Sequence, residues 1–301
     1  MTVASRVARG WSALGLVLLF AALACENDVA VHLLPPGPVK SADPPDPPDP
    51  PVCVDGEPCS GHAWALSFKG AYDRVEIPSS TLLDLPQDFA VEAWVLVRNY
   101  NGGGHGVLNR WIAGVGDIQL TFGTPEPVSQ LELPSLDAVP SHVLGSWAFV
   151  REGLWLTAVA PALPSADNWH HIAASYGGGA FRLYVDGTLA SKMDSNESVA
   201  NPESTLYLGA TARHERGFSA AEGTLYWPPI DGSIADVRLS SSNRYPADFV
   251  PEPHLSVDAQ TIALWHLDEA DGSVAADSGP NRLDGEIIGA AWELAPIRTS
   301  R

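Results

Sequence analysis

Positive charge is scarce in this sequence. Lys and Arg number 17 against 36 acidic residues, for a formal net charge of −19. Nucleic-acid binders neutralise phosphates with Lys and Arg, so that class of partner is excluded. The acidity is compatible with calcium or with plain solubility. Charged residues of both signs reach only 18%, below the roughly 25% of an ordinary globular chain. Long helical stripes are lacking beyond the N-terminus, and 27 glycines and 26 prolines make turns frequent. Cysteine is rare, with Cys25, Cys53 and Cys59 as the whole set. No Gly-x-Ser-x-Gly nucleophile elbow occurs. The glycine-rich Asn101–Gly106 run lacks the Lys-Ser/Thr ending of a phosphate loop.

What is present is apolar sequence with the period of strands. Hydrophobic residues make up 45% of 301 residues, ample for a core, and an all-β sandwich can use 200–250 residues as a single domain. The central stretch, Asp167 to Ser191, organises the chain. Phe181, Leu183 and Val185 alternate with Arg182 and Tyr184, as in a half-buried strand. Gly177-Gly178-Gly179 and Asp186-Gly187 are hairpin signals, so a three-strand antiparallel meander is expected. His170 and His171 fall on opposite faces of one strand and cannot share a metal. Phe89, Val91, Ala93, Val95 and Val97 alternate with Ala90, Glu92, Trp94 and Leu96. Both faces are partly apolar, which predicts a central strand. With no second acid at i+2 or i+4, Glu92 reads as a paired structural carboxylate. Ala65–Pro78 reads as strand, glycine turn and strand, and Ser204–Ala210 and Asp231–Ser240 as further strands.

The run Trp169-His170-His171-Ile172-Ala173, a glycine turn and Arg182-Leu183-Tyr184-Val185-Asp186-Gly187, with the strand Asp88-Phe89-Ala90-Val91-Glu92-Ala93-Trp94-Val95, resembles the LamG-like jelly-roll domain of the concanavalin A-like lectin/glucanase superfamily. The resemblance covers about Ala63 to Leu294. It implies an all-β, antiparallel two-sheet jelly-roll sandwich, usually used for binding, with the C-terminal piece folding back beside the first strand. Structural calcium is the cofactor it implies, with Asp73 and Asp236 as the candidate ligands. The chain departs from the family at Lys69, Tyr72 and Ala235, where acids are usual. Glucanases of this fold carry Glu-x-Asp-x(-x)-Glu on one strand; no such run occurs here, so no catalytic residue is assigned. The partner implied is carbohydrate or an extracellular protein, and a glycan-cleaving enzyme or a structural adhesion protein is the alternative. Trp111, Trp147 and Trp227, in or beside irregular stretches, are the candidates for stacking on a ligand. The long loops Thr124–Ser141 and Thr211–Pro229 are where specificity is expected.

The N-terminus reads as an address. Arg6 and Arg9 precede an apolar run, Trp11–Leu23, that ends in Ala22-Leu23-Ala24-Cys25. Residues 1–24 have the layout of a secretory signal. The cysteine makes it similar to a bacterial lipoprotein signal, in which Cys25 carries lipid; ordinary cleavage near Ala24 is the alternative. Glu26 leans towards the outer membrane or cell surface. Loss of residues 1–24 removes Arg6, Arg9 and no acid, taking −19 to about −21. Residues 25–62 form a tether. The Asp-Pro-Pro repeat from Asp43 to Pro51 favours polyproline II and gives about 28 Å of stiff spacer, although it could instead be a docking ligand. In an oxidising compartment Cys53 and Cys59 read as a local disulfide, with an entropic gain of about 2.4 kcal/mol. Residues 63–294 form the domain, and 295–301 a tail.

Overall fold

The computed structural model describes residues 62–70, 72–100, 105–110, 118–122, 144–151, 154–201, 203–210, 212–214, 224–226 and 230–299. In chain order the strands are β1 (His62–Phe68), β2 (Arg74–Ile77), β3 (Phe89–Asn99), β4 (His105–Arg110), β5 (Ile118–Phe122), β6 (Leu144–Arg151), β7 (Leu154–Val159), β8 (Trp169–Gly177) and β9 (Ala180–Val185). They continue as β10 (Thr188–Asp194), β11 (Leu206–Leu208), β12 (Ala212–His214), β13 (Thr224–Tyr226), β14 (Asp231–Ser240), β15 (Thr261–Trp265), β16 (Val274–Ala275), β17 (Gly285–Ile288) and β18 (Ala291–Pro296).

Two antiparallel sheets stack on one core. The first runs β10-β9-β8-β3-β14-β1-β18, with β15 also paired to β14; the second runs β16-β17-β2-β11-β4-β5-β6-β7. The alternation in β3 does what the sequence requires of it. Phe89, Val91, Ala93, Val95 and Val97 enter the inter-sheet core, and β3 is central, hydrogen-bonded to β8 and β14.

The central meander is β8-β9-β10. Its two turns carry left-handed backbone: Gly178 and Gly179 at φ 57° and 78°, Asp186 and Gly187 at φ 50° and 76°. Two consecutive positive φ values are the signature of the primed turn that matches strand twist. The strand–turn–strand of Ala65–Pro78, by contrast, is not a hairpin. β1 pairs with β14 and β18, whereas β2 pairs with β11 and β17. The turn between them carries the chain from one sheet to the other, so Leu66 and Phe68 enter the core from one side and Val75 and Ile77 from the other.

The C-terminal piece does fold back: β18 pairs with β1 from His62↔Pro296 to Ser67↔Ala291. The ordered fold therefore runs past Leu294. Ala295 is buried, and Arg298 is engaged in an ion pair with Asp236.

The outward face of the first sheet is not left to solvent. The segment Ser241–Asp258 straps across it. Trp94 Nε1 donates to the Glu252 carbonyl (2.9 Å), Tyr184 Oη to the Tyr245 carbonyl (2.7 Å), Ser175 Oγ to Asn243 Oδ1 (2.7 Å) and Phe249 N to the Gly187 carbonyl (2.9 Å).

Candidate functional site

Beneath the strap lies a buried polar network. Glu92 on β3 has no exposed surface. It accepts from His171 Nε2 (3.0 Å), from Arg238 Nε (2.8 Å) and from Tyr245 Oη. Burial pushes this carboxyl up; the hydrogen bond and charge of His171, followed by Arg238, outweigh it and hold the group at about 2. Such a carboxylate cannot donate a proton at neutral pH, so the network is a lock between sheet and strap. His170, on the opposite face of β8, shares its Nδ1 with Asp186 Oδ2 at 2.7 Å.

The open cleft beside it has a different composition. Trp94, Leu96, Asp167, Asn168, Trp169, Asp186, Pro251, Pro296, Ile297 and Thr299 line a cavity of about 150 Å³. Trp169 begins β8 and is held in place by its Nε1, which donates to the Pro296 carbonyl at 2.7 Å. Arg298 Cζ lies 5.9 Å from the indole ring. Asp167 is turned into the left-handed region at φ 59°, its N–H donating to the Val97 carbonyl at 2.8 Å. Asn168 Nδ2 donates to the Ala166 carbonyl at 2.9 Å, which fixes the amide at the rim. Asp186 accepts at both oxygens, from His170 and from the His171 N–H. Burial raises its carboxyl, but the bonds from His170 and the His171 N–H outweigh that and lower it. The cleft thus offers an indole, an anion, an amide and a hydroxyl within one small space. Its volume is below the ~300–1,000 Å³ of drug-sized sites, which suits a single ring.

A row of polar and aromatic positions, with Asn109 and Tyr207 buried, follows from register on the second sheet. Glu286, Glu76, Tyr207, Asn109, Gln119, Trp147 and Thr157 are successive cross-strand partners over seven strands of the second sheet. The backbone of Trp147 therefore stands in a row of polar and aromatic positions. Trp111 and Trp227, and Cys25, Cys53 and Cys59, lie outside the described residues, as do the loop 124–141 and most of the expected loop 211–229, which the strands β12 and β13 interrupt.

The two carboxylates considered for calcium sit in separate surroundings. Asp73 Oδ2 accepts the N–H groups of Lys69 (2.8 Å) and Gly70 (2.6 Å), closing the β1–β2 turn. Asp236 is met by His254, His266 and Arg298. Calcium takes six to eight oxygen ligands, and neither set of described partners has that character. At the positions where acids were expected, Lys69 pairs with Glu293 at 3.3 Å and Tyr72 is 69% exposed.

The sequence signal for the cleft was present but unread: Asp167-Asn168-Trp169 is the start of the central stretch. Its other wall, Pro296–Thr299, is far away in sequence and is brought there by the β1–β18 pairing.

No curated protein matches the sequence. Among solved structures, a candidate carbohydrate binding protein from Bacteroides ovatus aligns at 18% identity with a TM-score of 0.54, over 79% of this chain and 62% of that one. This chain thus spans less than two thirds of that protein. The pentraxin of Limulus polyphemus aligns at 9% identity and TM-score 0.42, over 78% of this chain and 95% of its own. Domains LG4-5 of the mouse laminin α1 chain align at 14% and 0.41, over 62% and 45%. A family profile matches residues 69–248, more than half of the sequence and the same span that holds the meander, the central β3 and the strand β14. On that match and this sheet order, the chain belongs to the Concanavalin A-like lectin/glucanases superfamily.

Proposed function

We propose that the domain is a non-catalytic carbohydrate-binding module working outside the cytoplasm, and that the cleft at Trp169 receives a sugar ring. The observation that carries the reading is the cleft's chemistry. An indole gives the apolar face of a ring a surface to lie on. Asp186, kept anionic by His170, accepts from hydroxyls, while the amide of Asn168 and the hydroxyl of Thr299 can donate and accept. Hydrolysis would need a carboxylic acid with a raised pKa beside a second carboxylate. Asp186 is shifted the other way, which supports binding without cleavage. The fold-level similarity to the Bacteroides ovatus protein agrees with this reading. In the same proposal Cys25 carries the lipid anchor, the Asp-Pro-Pro repeat is the spacer, and Cys53–Cys59 is a local staple. Calcium is not needed for the sugar contacts.

The test uses the chain from Glu26 onward on an array of bacterial and plant polysaccharides, in calcium and in chelator. The expected result is binding to one sugar class, lost in Trp169→Ala and weakened in the milder Asn168→Ala, with no released sugar. Loss in Trp147→Ala but not in the cleft variants would move the site to the second sheet. A folded chain that binds no glycan in either condition overturns the sugar reading in favour of a protein partner.

A further inference from the structure

A second cluster, apart from the cleft's sugar-facing groups, gathers around Asp236. Strand β14 is bulged here: its register with β3 slips between Ala235 and Val237. The bulged residue is Asp236 itself, in the left-handed region at φ 42°. Bulges re-aim a side chain, and a non-glycine residue in that region carries strain that surrounding structure must hold. What it achieves is to turn a fully buried carboxylate towards two imidazoles from separate segments. His266, following β15, places Nδ1 2.5 Å from Asp236 Oδ1. His254, in the strap, places Nδ1 3.2 Å from Oδ2. The two rings stack at 4.3 Å with 18° between their planes, and the three ligand atoms all lie within 4.8 Å of one another.

A cation already sits there. The Arg298 guanidinium is 2.9 Å from Asp236 Oδ2 and 3.2 Å from His254 Nδ1. Arg has no acceptor, so it donates to that nitrogen, which must present a lone pair. A carboxylate lone pair and an imidazole lone pair therefore converge on one positive group, with a second imidazole adjacent. The His254 side chain is 56% exposed, which leaves an approach from solvent.

We propose that Asp236, His254 and His266 form a site for a borderline divalent transition ion, Zn²⁺ being the probe, with Arg298 as the cation that the metal displaces. Imidazole nitrogens with one carboxylate suit zinc, copper or nickel and do not suit calcium. Three protein ligands leave a fourth position for water. The ion replaces the proton shared between His266 and Asp236 and the guanidinium held by His254. This proposal does not depend on the sugar reading.

Tag-free full-length chain is titrated with Zn²⁺ by calorimetry, and with Co²⁺ for its visible absorption bands. One Zn²⁺ per chain is expected, with nitrogen-ligated Co²⁺ bands and no response to Ca²⁺. His254→Ala and His266→Ala should each weaken binding by more than the ~10–100-fold typical of losing an outer-shell partner. Arg298→Ala should tighten it. His254 is largely exposed, so that variant is expected to keep the wild-type melting temperature, and its loss of binding cannot be laid to misfolding. Absence of binding in both the wild type and Arg298→Ala overturns the proposal. So does binding of unchanged affinity in the double histidine variant.

Discussion

A carboxylate with no exposed surface persists at position 92 because each of its oxygens is met by a donor. Removing the charge would leave Arg238, 3% exposed, buried without its anion. Breaking one side of a buried pair costs about 3–5 kcal/mol, so Glu92→Gln is expected to lose that order of stability in urea unfolding at pH 7. The pH dependence has a definite sign. The folded-state value, about 2, is depressed from 4.5. The contribution is therefore fully present above about pH 4.5 and is lost as pH falls from 4.5 towards 2. Wild type should lose stability on the order of 3 kcal/mol across that window from this group, and Glu92→Gln should lose visibly less. Unfolding curves at pH 5, 4 and 3 would check both statements. That Glu92 is paired was legible from the missing second acid on its strand. Its partners were not, because His171, Arg238 and Tyr245 come from β8, β14 and the strap. Asp236 shows the same limit: no periodicity in sequence announces a bulge that re-aims one side chain.

Among the elements, the β9–β10 turn does more than reverse the chain. Gly187 sits at φ 76°, and a Cβ there would stand 1.9 Å from the Phe249 carbonyl oxygen. The same residue accepts the Phe249 N–H at 2.9 Å, and Phe249 stacks on Tyr245 at 3.6 Å. Gly187→Ala should cost at least the ~1–2 kcal/mol of a left-handed alanine and should also lift the strap. The expected reading is a lowered melting temperature together with faster amide exchange at Phe249 and Leu255. A variant with unchanged exchange at those amides would show that the strap is held elsewhere. The turn was readable because Asp-Gly is a local signal. Its second role was not, since Phe249 is distant along the chain and only the strap brings it to the turn.

For the whole molecule, the sandwich stands on residues 62–299, and the proposal hangs it from Cys25 by the acidic, proline-rich spacer. Cys25→Ser is then expected to shift the protein from the membrane to the soluble fraction and to abolish palmitate labelling, with the glycan binding of the domain unchanged. Membrane retention in the serine variant would remove the anchor from the proposal.

Some features of this protein depend only on neighbours along the chain and are written in residue order. These are the alternation that makes β3 two-faced, the two glycine-bearing turns of the meander, the absence of a paired-carboxylate strand, and the excess of acid. Such signals survive because strand period and turn backbone are set within a few residues. Tertiary structure alone decided that β1 and β2 lie in opposite sheets, that the strap seals the first sheet over Glu92, and that Trp169 shares a cleft with Thr299. It also decided that Asp236 meets two histidines and an arginine. Each of these depends on which distant strands pair and in what register, and a one-residue slip in register would turn every one of those side chains to the other face.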